Sequence, residues 1–263
     1  MSAAVAAGEL RVRLVGGPTA ILELGGLRLL TDPTFDEPRR FDRGTGVVLE
    51  KTSGPAVPAG HVGPIDAVLL SHDHHADNLD DGGRAFLTRV PRTLTTVPGA
   101  ARLGGSAIPL APWDHVDVPR PDGGKLRVTA MPALHGPPGS EREPGEVIGF
   151  LLAGHGLPSV YVSGDNASLE VVEEIARRIG SVEVAILFAG AAKTARLGDL
   201  PLTLTAQRAA AAAQALGAAV VVPVHFEGWT HFTEGADALR DAFVEAGIED
   251  RLRLLTPGER VTA

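Results

Sequence analysis

Apolar positions along this chain change their spacing about half-way, and the change predicts two kinds of local structure in series. Leu10–Val15, Ala20–Leu24 and Leu27–Leu30 are short apolar-rich runs separated by Gly16-Gly17-Pro18 and Gly25-Gly26. Short runs bounded by glycine pairs read as strands joined by tight turns, so the chain opens on a meander and not on a strand–helix–strand unit. Residues 33–63 are rich in Pro, Gly and Arg without a sustained period, which predicts a long surface excursion of the functional kind. Ala67–Leu70 reads as a buried strand, Leu79–Val90 as a helix and Arg92–Val97 as a strand, with a Gly/Pro-rich connection onward to Pro112. Lys125–Met131 alternates as a strand ending near His135, and residues 136–146 read as a loop. Ile148–Leu152 and Val160–Val162 resemble a hairpin around Gly154-His155-Gly156.

Thereafter strands and helices alternate. Ser168–Ile179 carries the clearest helical signal: Ser168 as N-cap, acids early, Arg177 and Arg178 late, and Gly180 as the stop. Its apolar stripe is Val171, Val172, Ile175, Ala176 and Ile179. Val184–Phe188 and Val220–Val224 read as strands, Thr205–Leu216 and Asp237–Ala246 as helices, and Leu252–Leu255 as a last strand. The result is an α/β (α+β) chain with no linker or composition break, read as one domain over residues 1–263.

Composition narrows the class. Of the 263 residues 44% are hydrophobic, enough for a large core, and 21% are charged, which excludes a disordered polar chain. The net charge of -8 is a poor match for nucleic acid, whose binding rests on Lys and Arg displacing counterions. With no cysteine in the chain, disulfides and thiolate metal sites are excluded. Met1–Gly8 lacks the basic and then apolar pattern of a secretion signal, and no apolar run is long enough to span a membrane. These features predict a cytoplasmic protein acting on a small molecule, and leave room for a homo-oligomer. The abundance of Ala, Gly and Pro suits a high-GC bacterial genome.

The candidate chemistry sits where predicted strands stop. Ser71-His72-Asp73-His74-His75-Ala76-Asp77-Asn78-Leu79-Asp80 follows Ala67–Leu70 directly, and such a density of imidazoles and carboxylates has little structural reason. On extended backbone His72 and His74 point the same way and His75 the other. His135, Asp165 and His225 each lie just past a predicted strand, and a sheet brings strand ends to one edge. A thiol-free His/Asp set suits Zn²⁺, in one or two ions, and also Mn²⁺ or Fe²⁺. After His225, Trp229 reads as a pocket residue and His231 as a proton donor to a leaving group; Lys193 reads as an anion-binding side chain.

The order Thr31-Asp32-Pro33, His72-x-His74-x-x-Asp77, His135, Asp165, His225 resembles the metallo-β-lactamase fold superfamily, over residues 10 to 257. The branch it looks most like holds ascorbate-6-phosphate lactonase and N-acylphosphatidylethanolamine phospholipase D. That resemblance implies a four-layer αββα sandwich with metals at one edge. It implies His72, His74 and His135 as ligands of a first ion, Asp165 as a bridging carboxylate, His225 as a ligand of a second, and Asp32 as a supporting residue. The family pattern is His-x-His-x-Asp-His; here Ala76 stands where the Asp belongs. Either one inserted residue keeps Asp77 as the second carboxylate with Asn78 in the His place, or Asp77 takes the His place and the Asp is lost. Both readings remove one imidazole from the second position.

The expected activity is hydrolysis of a small ester, lactone or phosphodiester by metal-activated water, with Asp77, Asp165 and His231 in catalytic roles. A metal-binding regulatory module without turnover and a nucleic-acid-processing hydrolase are the alternatives.

Overall fold

The computed structural model describes residues 8–44, 47–137 and 145–263. Most of the Met1–Gly8 start and residues 138–144 of the predicted 136–146 loop lie outside them. Two large sheets face each other. The first is built from β1 (Leu10–Gly16), β2 (Thr19–Leu24), β3 (Leu27–Thr31), β6 (Ala67–Leu69), β7 (Thr93–Thr96), β8 (Ala107–Leu110) and β15 (Arg260–Thr262), in the order β15-β1-β2-β3-β6-β7-β8. The second holds β9 (His115–Pro119), β10 (Lys125–Pro132), β11 (Ile148–Ala153), β12 (Val160–Val162), β13 (Val184–Phe188) and β14 (Val220–Val224), in the order β14-β13-β12-β11-β10-β9. The meander β1–β3 is antiparallel as predicted, and Gly25 and Gly26 close its second turn at φ 58° and 79°, a conformation other residues adopt at a cost.

Alternation along the strands sorts side chains between layers. In β13, Val184, Ile186 and Phe188 enter the core between the sheets, while Ala185 and Leu187 enter a second core under the helices. A parallel strand covered on both faces needs this uninterrupted apolar run. Leu126, Val128 and Ala130 of β10 meet Val12, Leu22, Leu29 and Leu69 of the first sheet in the central core. Each fully buried side chain of Val or Leu size contributes about 1.5–3 kcal/mol by leaving water.

Helices cover both outer faces. α3 (Leu169–Ile179), α4 (Ala206–Ala215) and α5 (Ala236–Glu245) lie on the second sheet through Val172, Ile175, Ala209, Ala213, Leu239 and Phe243. Ser168 caps α3 by accepting the Val171 amide at 3.2 Å. On the first sheet, Phe86 and Leu87 of α1 (Asp81–Leu87) and Leu103 of α2 (Val97–Leu103) pack with Leu30, Val68 and Leu70. The architecture is therefore an αββα sandwich.

Several elements differ from the sequence reading. The 33–63 excursion contains a hairpin, β4 (Arg39–Asp42) with β5 (Val48–Lys51), paired antiparallel. The connection to Pro112 contains α2 and β8; Thr96 caps α2 by accepting the Gly99 amide at 3.0 Å, and Pro98 fits the first turn, where no amide is needed. Leu252–Leu255 is not a strand but makes a single bridge to Val221. Gly258, at φ 97°, instead turns the chain so that β15 pairs with β1. Among the described residues no helix is long and apolar enough to cross a membrane.

Candidate metal centre

One end of the sandwich collects the ends of β3, β6, β10, β12 and β14, and with them Asp32, His72, His135, Asp165 and His225. The turn that carries Asp165 needs a glycine: Gly164 has φ 57°, and a Cβ there would come 2.5 Å from the Ile148 carbonyl oxygen. Asn166 ties this turn to the next loop, accepting the Leu134 amide at 2.9 Å. Asp32 and His225 themselves have positive φ, 21° and 58°. Left-handed backbone at a non-glycine residue costs about 1–3 kcal/mol, and such strain gathers at functional sites.

Hydrogen bonds fix how the imidazoles face the centre. His135 Nδ1 lies 2.7 Å from the Leu202 carbonyl oxygen, which can only accept, so Nδ1 carries the proton and Nε2 presents a lone pair. His72 Nδ1 lies 2.9 Å from Ser71 Oγ. That hydroxyl donates its own hydrogen to Asp32 at 2.6 Å and so accepts from His72, which again leaves Nε2 free to coordinate. Burial pulls His72 and His75 well below their usual range and His135 down to about 4. Neutral imidazoles are the form a cation binds.

Asp165 stands between two groups. Its Oδ2 is 3.7 Å from His135 Nε2, and its Oδ1 is 3.6 Å from His225 Nε2. Asp77 Oδ2 is 3.3 Å from His225 Nε2 and 3.0 Å from His231 Nε2. Donor atoms of His72, His135 and Asp165 lie within 4.8 Å of one another; so do those of Asp77, Asp165 and His225, and those of His72, His74 and His75. Burial, and then the charges of Asp77 and Asp32, push Asp165 well above the ordinary carboxylate range. Burial opposes ionisation of Asp77 as well, but His231 and His225 more than offset it and hold that carboxyl well below the range. Asp77 Oδ1, Asp165 Oδ2 and His225 Nε2 are buried without a hydrogen-bond partner among the described residues. Uncompensated buried polar atoms are costly, and a divalent cation between them removes that cost. The donor set therefore fits one or two such ions.

A cavity of about 150 Å³ opens on this centre, lined by Phe41, Arg43, Val47 and Leu49 of the hairpin region, by His74, His75, Ala76, Asp77, His135 and His231, and by Ala192–Leu202 residues. His231 thus lies on the cavity wall, as its predicted role requires. Trp229 does not: it is buried behind Phe41, the ring centroids 5.4 Å apart, because the chain there pairs with Lys51. Lys193 is not among the lining residues and lies 3.9 Å from Asp199.

His75 is the residue that sequence reasoning misplaced. Its Nδ1 lies 2.9 Å from His72 Nε2 and 3.3 Å from His135 Nε2. Residues 71–78 are a sequence of turns and not a strand, with the Leu79 amide donating to the His75 carbonyl at 2.9 Å, so strand alternation does not apply. Asn78, in the His place on one of the two motif readings, turns its Nδ2 to the carboxylates and donates to Asp165 at 2.9 Å and Asp32 at 3.0 Å.

The profile of the beta-lactamase superfamily domain matches residues 27–226. The chain belongs to this superfamily. A metal-dependent hydrolase of Methanoculleus marisnigri is 27% identical over 213 residues, covering 79% of this chain and 86% of the relative. The crystal structure of an isothiocyanate hydrolase from Delia radicum gut bacteria is similar at a TM-score of 0.79 and 22% identity, over 95% of this chain and 98% of that one. CmlA, a diiron beta-hydroxylase from Streptomyces venezuelae, is similar at a TM-score of 0.67 and 18% identity, over 97% of this chain and 54% of its own. Both likenesses concern the fold.

Proposed function

We propose that this chain is a cytoplasmic metal-dependent hydrolase of a small ester, lactone or phosphodiester, folded as one domain over residues 1–263. The observation that carries the reading is Asp165, one buried carboxylate reaching toward His135 with one oxygen and His225 with the other. His72, His135 and Asp165, with a further imidazole from the His74–His75 pair, would hold a first ion; Asp77, Asp165 and His225 would hold a second. Zn²⁺ suits these donors, and Mn²⁺ or Fe²⁺ bind the same chemistry. A bound divalent ion would lower the pKa of water toward neutrality and polarise the oxygen under attack.

The residues supply the rest. Asp77, with Oδ1 left to the ion, takes the proton of the attacking water at Oδ2 and passes it to His231 Nε2, 3.0 Å away. His231 gives up a proton from Nδ1 to the leaving oxygen, so that base and acid are both restored at the end of the cycle. Phe41, Leu49, Leu197 and Leu202 form an apolar wall for the acyl or alkyl part and exclude water, and Arg43 and Arg196 favour an anionic or polarised end.

The test is turnover by metal-loaded protein on a panel of p-nitrophenyl esters, aliphatic lactones and bis-p-nitrophenyl phosphate. Metal-dependent turnover of a panel member, lost in Asp165→Asn, supports the proposal. Stoichiometric metal binding with no turnover on any member overturns it in favour of a binding module.

A further inference from the structure

We infer that His75, not His74, completes the imidazole set with His72 and His135. The inference rests on the metal reading above and assigns a ligand that the family spacing gives to another residue.

Three observations carry it. First, His75 Nδ1 is the meeting point of two lone pairs. His72 and His135 both have Nδ1 committed to hydrogen bonds, to Ser71 Oγ and the Leu202 carbonyl, so both direct Nε2 at His75, from 2.9 Å and 3.3 Å. Three nitrogens around a tetrahedral ion at about 2.0–2.1 Å stand about 3.3 Å apart, which is close to this spacing. Second, His74 is turned elsewhere. Its Nδ1 lies 3.9 Å from Asp73 Oδ1, and Asp73 is clamped by Arg102, whose Nε is 2.9 Å from Oδ2. Its Nε2 faces the backbone of Gly145, where an added Cβ would approach to 2.6 Å. His74 still has a nitrogen within 4.8 Å of donors on His72 and His75, which makes it the competitor. Third, residues 71–78 turn, with the Leu79 amide on the His75 carbonyl at 2.9 Å, so the alternation that would aim His75 away from His72 does not operate there.

The assignment also resolves the broken motif. His75-Ala76-Asp77-Asn78 has the spacing His-x-Asp-x expected of the second half of His-x-His-x-Asp-His. The inserted residue then lies between His72 and His75, and His74 becomes part of the cavity wall.

The experiment uses full-length wild type, His75→Ala, His75→Gln and His74→Ala, each dialysed against Zn²⁺ or Co²⁺. Metal per chain is measured by mass spectrometry, affinity by chelator competition, and coordination by the visible absorption of the Co²⁺ form. We expect both His75 variants to lose one equivalent, or to bind it at least about 100-fold more weakly, with a changed Co²⁺ spectrum. We expect His74→Ala to keep wild-type stoichiometry and spectrum. Circular dichroism checks folding, and His75→Gln keeps the buried volume filled should the alanine variant fail to fold. Wild-type metal content in the folded His75 variants, or its loss in His74→Ala, overturns the assignment while leaving the hydrolase reading intact. A wild type that binds no divalent ion overturns both.

Discussion

Asn78 Nδ2 lies 2.9 Å from Asp165 Oδ1, and its other contact is the Asp32 carboxylate. Because both neighbours only accept when ionised, the amide nitrogen and not the oxygen must face them. Asn78 is thus the donor that keeps two buried carboxylates from facing each other bare. In Asn78→Asp a third carboxylate replaces that donor. The metal-free variant should lose on the order of 3–5 kcal/mol, the cost of an uncompensated buried charge. Excess Zn²⁺ should recover more stability in the variant than in wild type. Urea unfolding with and without chelator measures both, and equal midpoints for the two proteins would refute the role.

His231 touches Asp77 and the cavity, but belongs to none of the three clusters whose donors lie within 4.8 Å. His231→Gln should therefore retain metal while kcat falls about 100-fold, the scale of a lost general acid. Metal analysis beside steady-state kinetics separates this from loss of an ion.

Burial raises Asp32 to about 7, against a reference of 3.8, although Ser71 and Asn78 donate to it. Between those values Asp32 binds more protons in the folded than in the unfolded chain. Its own contribution to the stability of the metal-free protein therefore falls as pH rises from about 4 to about 7, opposite in sign to that of the buried neutral histidines. The contribution is read as the difference between chelator-treated wild type and Asp32→Asn: the urea midpoint of wild type should drop relative to that of the variant between pH 5 and pH 7.5, and parallel curves would contradict the assignment.

Phe41 lines the cavity and rests on Trp229. Removing its ring in Phe41→Ala should cut the preference for longer over shorter acyl esters about 10-fold, in line with what one methylene contact in an apolar pocket discriminates. The ratio of kcat/KM across an ester series reads this out, and an unchanged ratio would remove Phe41 from the binding wall.

Much of this arrangement was legible in the residues. Val184–Phe188 and Val220–Val224 announced themselves because a strand buried on both faces must be apolar throughout. The histidines and Asp165 stood out because each ends such a run. His75 was misread because alternation was carried past Leu70 into a segment that turns. The chain turns there, with the Leu79 amide on the His75 carbonyl, and Ser71 is held by Asp32, which follows β3 and is remote in sequence. The hairpin was hidden for a related reason. Arg39–Asp42 and Val48–Lys51 have mostly exposed, charged positions, so no apolar period marks them. β15 is short and nearly as polar, and is held by its pairing with β1 and by Val261 against the central core.

The hairpin supplies Phe41, Arg43 and Leu49 to the cavity, yet none of the clustered metal donors. Part of the cavity wall is therefore written in a different stretch of sequence from the clustered donors. Exchanging Phe41 and residues 47–50 for the matching piece of a relative, with Arg43 and Lys51 kept because they hold the His74 and Leu79 carbonyls and Asp80, should shift substrate preference while leaving metal content unchanged. A lineage built this way can explore new substrates by editing a short ribbon.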